Sequence, residues 1–235
     1  MYFKKTFLIC LSFITFSCAE LQDVVNSLPT ETTNGTLDIA GGLRQALDKG
    51  ITKQVSKLTQ KDGFYKNQAV KILMPEELKK VDKALRKIGL GSLADEGIKA
   101  LNRAAEDAVK EATPIFVNAV KGITFNDAKG ILLGSDNAAT NYLRSRTNNA
   151  LYSKFNPVIK KSFGKVGADQ IWTNLITTYN TIPFVNKVNP DLTDYVTNEA
   201  LKGVYKMIAV EEKKIRNNIN ERSTTLLRQV FALQD

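Results

Sequence analysis

The side chains available for chemistry are limited. The sequence contains no histidine, and its two cysteines, Cys10 and Cys18, both lie near its start. Imidazole-based catalysis and imidazole metal sites are therefore excluded. No glycine-rich phosphate-binding motif occurs, so an enzyme would have to use carboxylates, lysine, hydroxyl groups or a carboxylate-bound cation. We assign no catalytic residue, no metal ligand and no cofactor from the sequence.

Eight polar residues among the apolar helical patterns are the candidates for a polar network. They are Asn102, Arg103, Glu106, Asp127, Asp136, Thr140, Glu212 and Arg216. Carboxylates among them would perform acid–base chemistry only if two of them faced one cleft. The sequence alone does not reveal such a pair. A hydrolase or lyase acting on an envelope polymer is therefore an alternative function and not the expected one.

Spacing distinguishes the members of this candidate network. Asn102 and Glu106 are four residues apart, which predicts one helix face and a partly buried network between helices, or else the polar end of a pocket. Glu212 and Arg216 have the same spacing, which predicts an ion pair on a solvated helix face. Asp136 stands where a helix is expected to begin, which predicts a capping role.

One segment holds most of the excess positive charge. From Asn137 to Ala168 there is no Asp or Glu, and the segment carries +6 of a whole-chain formal charge of +9. Its basic residues, the candidates for anion binding, are Arg144, Arg146, Lys154, Lys160, Lys161 and Lys165. Such a segment attracts anions unless neighbouring acidic helices neutralise it.

The first residues are typical of an export signal. Lys4 and Lys5 precede Thr6–Phe16, an uncharged stretch of eleven residues. A membrane-spanning helix needs about 20 apolar residues, whereas this length suits a secretory signal. The sequence "TFSC" before and at Cys18 resembles a bacterial lipobox, which predicts cleavage before Cys18 and acylation of that cysteine. Cleavage before Glu20 is the alternative.

These features divide the chain into three parts. Residues 1–17 are the predicted signal peptide, residues 18–36 a polar tether, and residues 37–235 a helical domain. Either cleavage removes Cys10, so the mature protein is expected to have no disulfide. We expect an exported protein, lipid-anchored in the bacterial cell envelope and not cytoplasmic. Its partners would be the membrane and an anionic lipid or envelope polymer, with no nucleic acid.

Helical periodicity governs the chain after residue 36. Apolar residues recur at three- and four-residue steps from Ile39 to Leu58, which predicts a helix of about six turns with Asp38 as its N-cap. Similar patterns predict an all-α fold, a single compact array of about eight helices with at most one short extended segment near 70–74. Other caps are predicted at Ser92 with Asp95, Thr113, Thr124 with Asp127, Ser135 with Asp136, and Asp191 with Asp194, and a bend or break is predicted at Pro157.

Four stretches together resemble a known bacterial family. They are "DIAGGLRQALDKG", "LNRAAEDA", "DAKGILLGSDNAATNYL" and "EEKKIRNN". In this order and spacing they resemble the exported-protein family catalogued as domain of unknown function 4197, from about Leu37 to Phe231. The resemblance implies a largely helical, exported protein, often with a lipoprotein-type signal, and implies no reaction.

The expected function is that of a non-enzymatic envelope lipoprotein that binds a partner or an anionic or amphipathic ligand. Besides the carboxylate-based enzyme, a second alternative is a small-molecule carrier, which would require a cavity of several hundred Å³ among the helices.

Overall fold

The computed structural model describes residues 38–87, 89, 91–165 and 191–235, with scattered positions between 170 and 187. Within these residues the chain is helical and contains no strand, which confirms the all-α prediction. The predicted signal peptide, the tether and Cys18 lie outside the described residues.

Eight α-helices and two short 3-10 turns make up the described fold. In chain order they are α1 (Ile39–Thr59), a 3-10 turn (Glu76–Leu78), α2 (Lys79–Lys87), α3 (Gly91–Val109), α4 (Ala112–Lys121), α5 (Phe125–Leu132), α6 (Ala138–Lys165), α7 (Thr193–Asn217), a second 3-10 turn (Ile219–Glu221) and α8 (Thr225–Phe231).

The two longest helices, α6 and α7, pack against each other and form the centre of the array. α3 packs on both of them, while α1 contacts α7 and also α4, α5 and α8. Where α4 meets α7, the rings of Phe116 and Tyr205 pack edge to face with centroids 6.0 Å apart. The Tyr205 hydroxyl lies 2.8 Å from that of Thr147 on α6, so its polar atom is satisfied within the core.

Two local helix starts form as the sequence predicts. The Asp38 carboxylate accepts a hydrogen bond from the Gly41 amide (2.7 Å) at the start of α1. At the start of α5, the Thr124 hydroxyl accepts from the Asp127 amide (3.1 Å), and the Asp127 carboxylate accepts from the Thr124 amide (2.9 Å). This reciprocal capping box satisfies two amides that have no partner inside the helix.

Three predicted helix starts were wrong. α3 begins at Gly91, so Ser92 lies inside the helix, and Asp95 instead pairs with Arg86 of α2 (2.6 Å). α4 begins at Ala112, one residue before Thr113. α7 begins at Thr193, whose amide donates to the Asp191 carboxylate (2.8 Å), so Asp191 acts one residue before the N-cap position.

Of the bend or break predicted at Pro157, the break is wrong, because α6 is a single helix of 28 residues that includes Pro157. Pro157 cannot donate to the Ser153 carbonyl one turn earlier, and both residues are solvent-exposed. Water can therefore satisfy that carbonyl, while Phe155 and Ile159 remain buried on the opposite side.

The expected extended segment is a connector and not a strand. The Asn102 side chain pairs with both backbone groups of Ile72: it accepts from the Ile72 amide (2.8 Å) and donates to the Ile72 carbonyl (2.8 Å). The Tyr195 hydroxyl donates to the Leu73 carbonyl (2.9 Å). These side chains thus form the hydrogen bonds to the backbone that a neighbouring strand would otherwise provide.

Candidate functional site

A buried ion pair on α7 joins the ends of two other helices. The Glu212 carboxylate accepts from the Ala139 amide (2.9 Å) and the Thr140 amide (2.8 Å) at the start of α6, and from the Thr140 hydroxyl (2.7 Å). Arg216 donates to Glu212 through Nε (3.0 Å) and to the Ile131 carbonyl at the end of α5 (2.7 Å). Each charge therefore satisfies a helix end of opposite polarity.

We call Glu212 and Arg216, with the two helix ends that they bind, the clamp. Its geometry corrects two predictions. Glu212 and Arg216 were expected on a solvated face, but both are more than nine-tenths buried. Ser135 and Asp136 were expected to cap α6, but the helix begins at Ala138 and its first amides bind Glu212. Ser135 instead donates to the Asn137 side chain (2.9 Å). The physical reason is that Glu212 of α7, which is distant in the sequence, binds the amides at the start of α6 in place of a local capping residue.

A second polar cluster fixes the loop that follows α1. Glu106 on α3 is buried and accepts from the amides of Phe64 (3.1 Å) and Tyr65 (3.3 Å). Arg103 bridges Glu106 and Asp62 (2.5 Å to each). The hydrogen bonds from Lys66 and Arg103 hold the pKa of Asp62 below its ordinary value and outweigh the opposite effect of its partial burial. The predicted Asn102–Arg103–Glu106 cluster thus holds a loop and its connector in place.

The carboxylates considered for acid–base chemistry do not converge. Glu106 binds the loop after α1, Asp127 completes its own capping box, and Glu212 belongs to the clamp. Asp136 is exposed and lies 3.7 Å from the Lys213 ammonium. Among the described residues, no group of three or more histidine, cysteine or acidic side chains is placed to hold a metal ion.

The space between α1 and α7 is too small for a carried molecule. The apolar cavity there, lined by residues such as Leu47, Ile208 and Phe231, has a volume of about 20 Å³. That volume holds about one water molecule. A carrier site for a small molecule would need several hundred Å³.

The six candidate anion-binding side chains all lie on the surface of α6 and are exposed. In the described part of the chain, no carboxylate lies within ion-pair distance of any of them. Lys154, Lys161 and Lys165 are separated by seven and four residues, so they share one face of the helix. We call these three residues the lysine face.

The other three basic residues point elsewhere. Arg144 lies over the ring of Tyr205 (5.1 Å to its centroid), and Arg146 lies over the ring of Tyr142 (5.4 Å). Lys160 lines a cavity of about 240 Å³ together with Asp191. Hydrogen bonds from Thr193, aided by the charge of Lys160, lower the pKa of Asp191. The basic segment is therefore not one patch.

Two further charged groups were not expected to be buried. Glu211 on α7 accepts from the Gln54 side chain of α1 (2.8 Å) and also pairs with Lys53, which raises the pKa of Lys53. Arg222, between α7 and α8, is 2% exposed. It stands outside any helical period, so no sequence pattern marked it as buried.

The comparisons with known proteins bear on the family of this chain. Within the part of the chain that the structure describes, no helix is long and apolar enough to cross a membrane. Neither the curated proteins nor the solved structures yielded a match. The model of the family described as "Protein of unknown function (DUF4197)" matches residues 33–232. The chain therefore belongs to this family.

Proposed function

We propose that this protein is a lipid-anchored envelope protein without enzymatic activity, whose lysine face binds an anionic membrane surface. The observation that carries the proposal is the lysine face itself, three exposed ammonium groups on one side of α6 with no carboxylate close enough to pair with them among the described residues. Each such group contributes about 1 kcal/mol near an anionic lipid surface.

The start of the sequence supports the same location. A lipobox-like "TFSC" and the polar residues that follow it would place the folded domain close to a membrane. A single weak electrostatic contact would then be sufficient, because tethering raises the effective concentration of the lipid surface.

The arrangement of polar groups favours binding over catalysis. Every buried carboxylate described above accepts hydrogen bonds from backbone amides, arginine, lysine or glutamine, so each already has partners within the protein. A carboxylate-based hydrolase or lyase would need two carboxylates available to a substrate in one cleft.

Vesicle binding tests the proposal. The chain from residue 33 onward, which begins with the family match, would be mixed with vesicles of phosphatidylglycerol and phosphatidylcholine. Reversing the charges of Lys154, Lys161 and Lys165 to Glu should weaken sedimentation with these vesicles by at least about 100-fold, because three contributions of about 1 kcal/mol are lost. Wild-type binding should also weaken as salt is added.

The matched control reverses three exposed lysines on other helices, Lys57, Lys99 and Lys206. Its net charge equals that of the first variant, so a nonspecific charge effect would weaken both equally. Equal loss in the two variants, or wild-type binding that is absent or insensitive to salt, would reject the lysine face as the binding surface.

A further inference from the structure

A polar cleft opens beside the end of α7, away from the lysine face. It has a volume of about 610 Å³ and lies between the turn that joins α5 to α6 and the residues that follow α7. Its walls carry the side-chain amides of Asn217, Asn218 and Gln234, and it is lined by Arg216 and Arg222.

Arg222 is built into this cleft as a fixed cation. Its Nε donates to the Ile215 carbonyl (3.1 Å) and its Nη2 to the Arg216 carbonyl (2.8 Å), at the end of α7. These bonds orient the guanidinium, and its outer edge donates to both oxygens of Asp235 (2.5 and 2.7 Å). Such a bidentate fork is the geometry by which arginine recognises a carboxylate.

The partner of Arg222 is held less firmly than Arg222 itself. Arg222 is 2% exposed, whereas the Asp235 side chain is 50% exposed. The neighbouring Gln234 donates to the Leu132 carbonyl, but its side-chain oxygen is buried and accepts no hydrogen bond. An unsatisfied buried acceptor weakens the docking of this segment.

With Asp235 set aside, the charges around the cleft balance except at Arg222. Arg216 is matched by Glu212, and Asp136 lies near Lys213 (3.7 Å). In the described residues, Asp235 is the one carboxylate within ion-pair distance of Arg222. If Asp235 moved away, a single buried positive charge would face the open cleft.

We propose that this cleft is a binding site for a carboxylate-bearing ligand, and that Asp235 occupies it from within the same chain. One carboxylate restores the balance of charge, and Asn217 and Asn218, which remain beside the cleft, suit a ligand with a peptide-like group next to that carboxylate. An incoming ligand displaces residues 232–235. The site is independent of the lysine face.

Calorimetric titration of the full-length protein in non-ionic detergent tests the site. The probes are N-acetylglycine, which has a carboxylate next to an amide, and N-acetylglycinamide, which has no charge. The Asp235→Ala variant should bind N-acetylglycine at least tenfold more tightly than wild type does, because the side-chain carboxylate that occupies the Arg222 fork no longer competes. N-acetylglycinamide should show no such gain.

The matched control is Asp95→Ala, which removes a carboxylate from Arg86, a guanidinium that is 43% exposed. After that change Arg86 keeps its ion pair with Asp82 (3.0 Å) and is solvated by water, so we expect no gain in affinity. The proposal is overturned if Asp235→Ala gains nothing, if Asp95→Ala gains equally, or if the uncharged probe binds as tightly.

A measurement on the wild-type protein covers the case in which Asp235→Ala does not fold. The amides of Leu233 and Gln234 donate to the carbonyls of Val230 and Phe231 (3.3 and 3.1 Å). Saturating N-acetylglycine should accelerate hydrogen exchange at Leu233 and Gln234 and leave exchange in α7 unchanged. Unchanged exchange at those two amides would also overturn the proposal.

Discussion

Arg216 and Arg222 use their guanidinium groups in the same way, since both donate to carbonyl oxygens at a helix end. Arg216 binds the end of α5, and Arg222 binds the end of α7. A helix C-terminus carries partial negative charge and carbonyls without intrahelical partners, so a buried cation is stabilised there. Because each arginine also meets a carboxylate, neither charge is left unpaired in the interior.

Replacing Glu212 by Gln should destabilise the protein by about 3–5 kcal/mol, because the charge of Arg216 would remain buried without its partner. The measurement is urea denaturation of the variant and wild type at neutral pH. Glu199→Gln is the matched control on the same helix, since Glu199 pairs with the exposed Lys202 (2.6 Å). That change should alter the free energy of unfolding by about 1 kcal/mol or less, and equal effects in both variants would contradict the clamp.

The Asp127 carboxylate should make stability depend on pH in the acid range. Its bonds from the Thr124 amide and hydroxyl hold the pKa of Asp127 below the ordinary value of 3.8. A lowered pKa in the folded state means that the stabilisation is present above that ordinary value and is lost as the pH falls through the folded-state value.

The Asp127→Asn variant should therefore melt below wild type at neutral pH, and the Tm difference should shrink as the pH falls below about 4. Thermal denaturation followed by circular dichroism at several pH values measures this. Thr124→Ala removes one of the two donors and should reduce the same pH dependence. A Tm difference between Asp127→Asn and wild type that stays constant down to the acid limit would contradict the expectation.

Close packing of α7 against the loop after α1 depends on a residue without a side chain. A Cβ atom at Gly203 would lie 2.7 Å from the Phe64 ring and 3.3 Å from Val70. Phe64 is fully buried, so its ring has no free space to move into.

Gly203→Ala should lower the free energy of unfolding by about 1–3 kcal/mol, the usual cost of overpacking a core. Gly130→Ala on α5 is the matched control, because a Cβ atom there meets nothing within 4 Å. Alanine favours a helix over glycine, so this control should raise stability by up to about 1 kcal/mol. Chemical denaturation compares the two variants, and a neutral Gly203→Ala would show that Phe64 can be displaced.

Helix starts that rely on nearby residues could be predicted, and those that rely on distant ones could not. Asp38 and Thr124 bind amides three residues away, so a local pattern reveals them. Glu212 caps α6 from 72 residues away, and Asn102 holds Ile72 from 30 residues away. No single-sequence pattern encodes which helices become neighbours.

The basic segment was evident from composition, but its arrangement was not. Lys154 lies before Pro157 and Lys161 after it, so the predicted break would have placed them on separate helices. Only the continuity of α6 puts them on one face. The charge therefore predicts attraction of an anion, whereas the fold determines which basic residues share one face.

The predicted lipid anchor depends on Cys18, and metabolic labelling with a fatty acid tests it in the native host. Wild type should incorporate the label, and Cys18→Ser should not, because a lipobox cysteine is the acylated residue. Cys10→Ser is the control, since both predicted cleavages remove Cys10. An unlabelled wild-type protein would favour cleavage before Glu20.

The clamp between α5 and α6 also has a consequence for folding kinetics. These two helices follow each other in sequence, yet the groups that complete their facing ends arrive 72 to 85 residues later. If the chain is released N-terminus first, both helices could form early. The corner between them would remain hydrated until Arg216 is released as well. Loop closure over such a separation is slow. The amides at this corner should therefore be among the last to gain protection against hydrogen exchange during refolding.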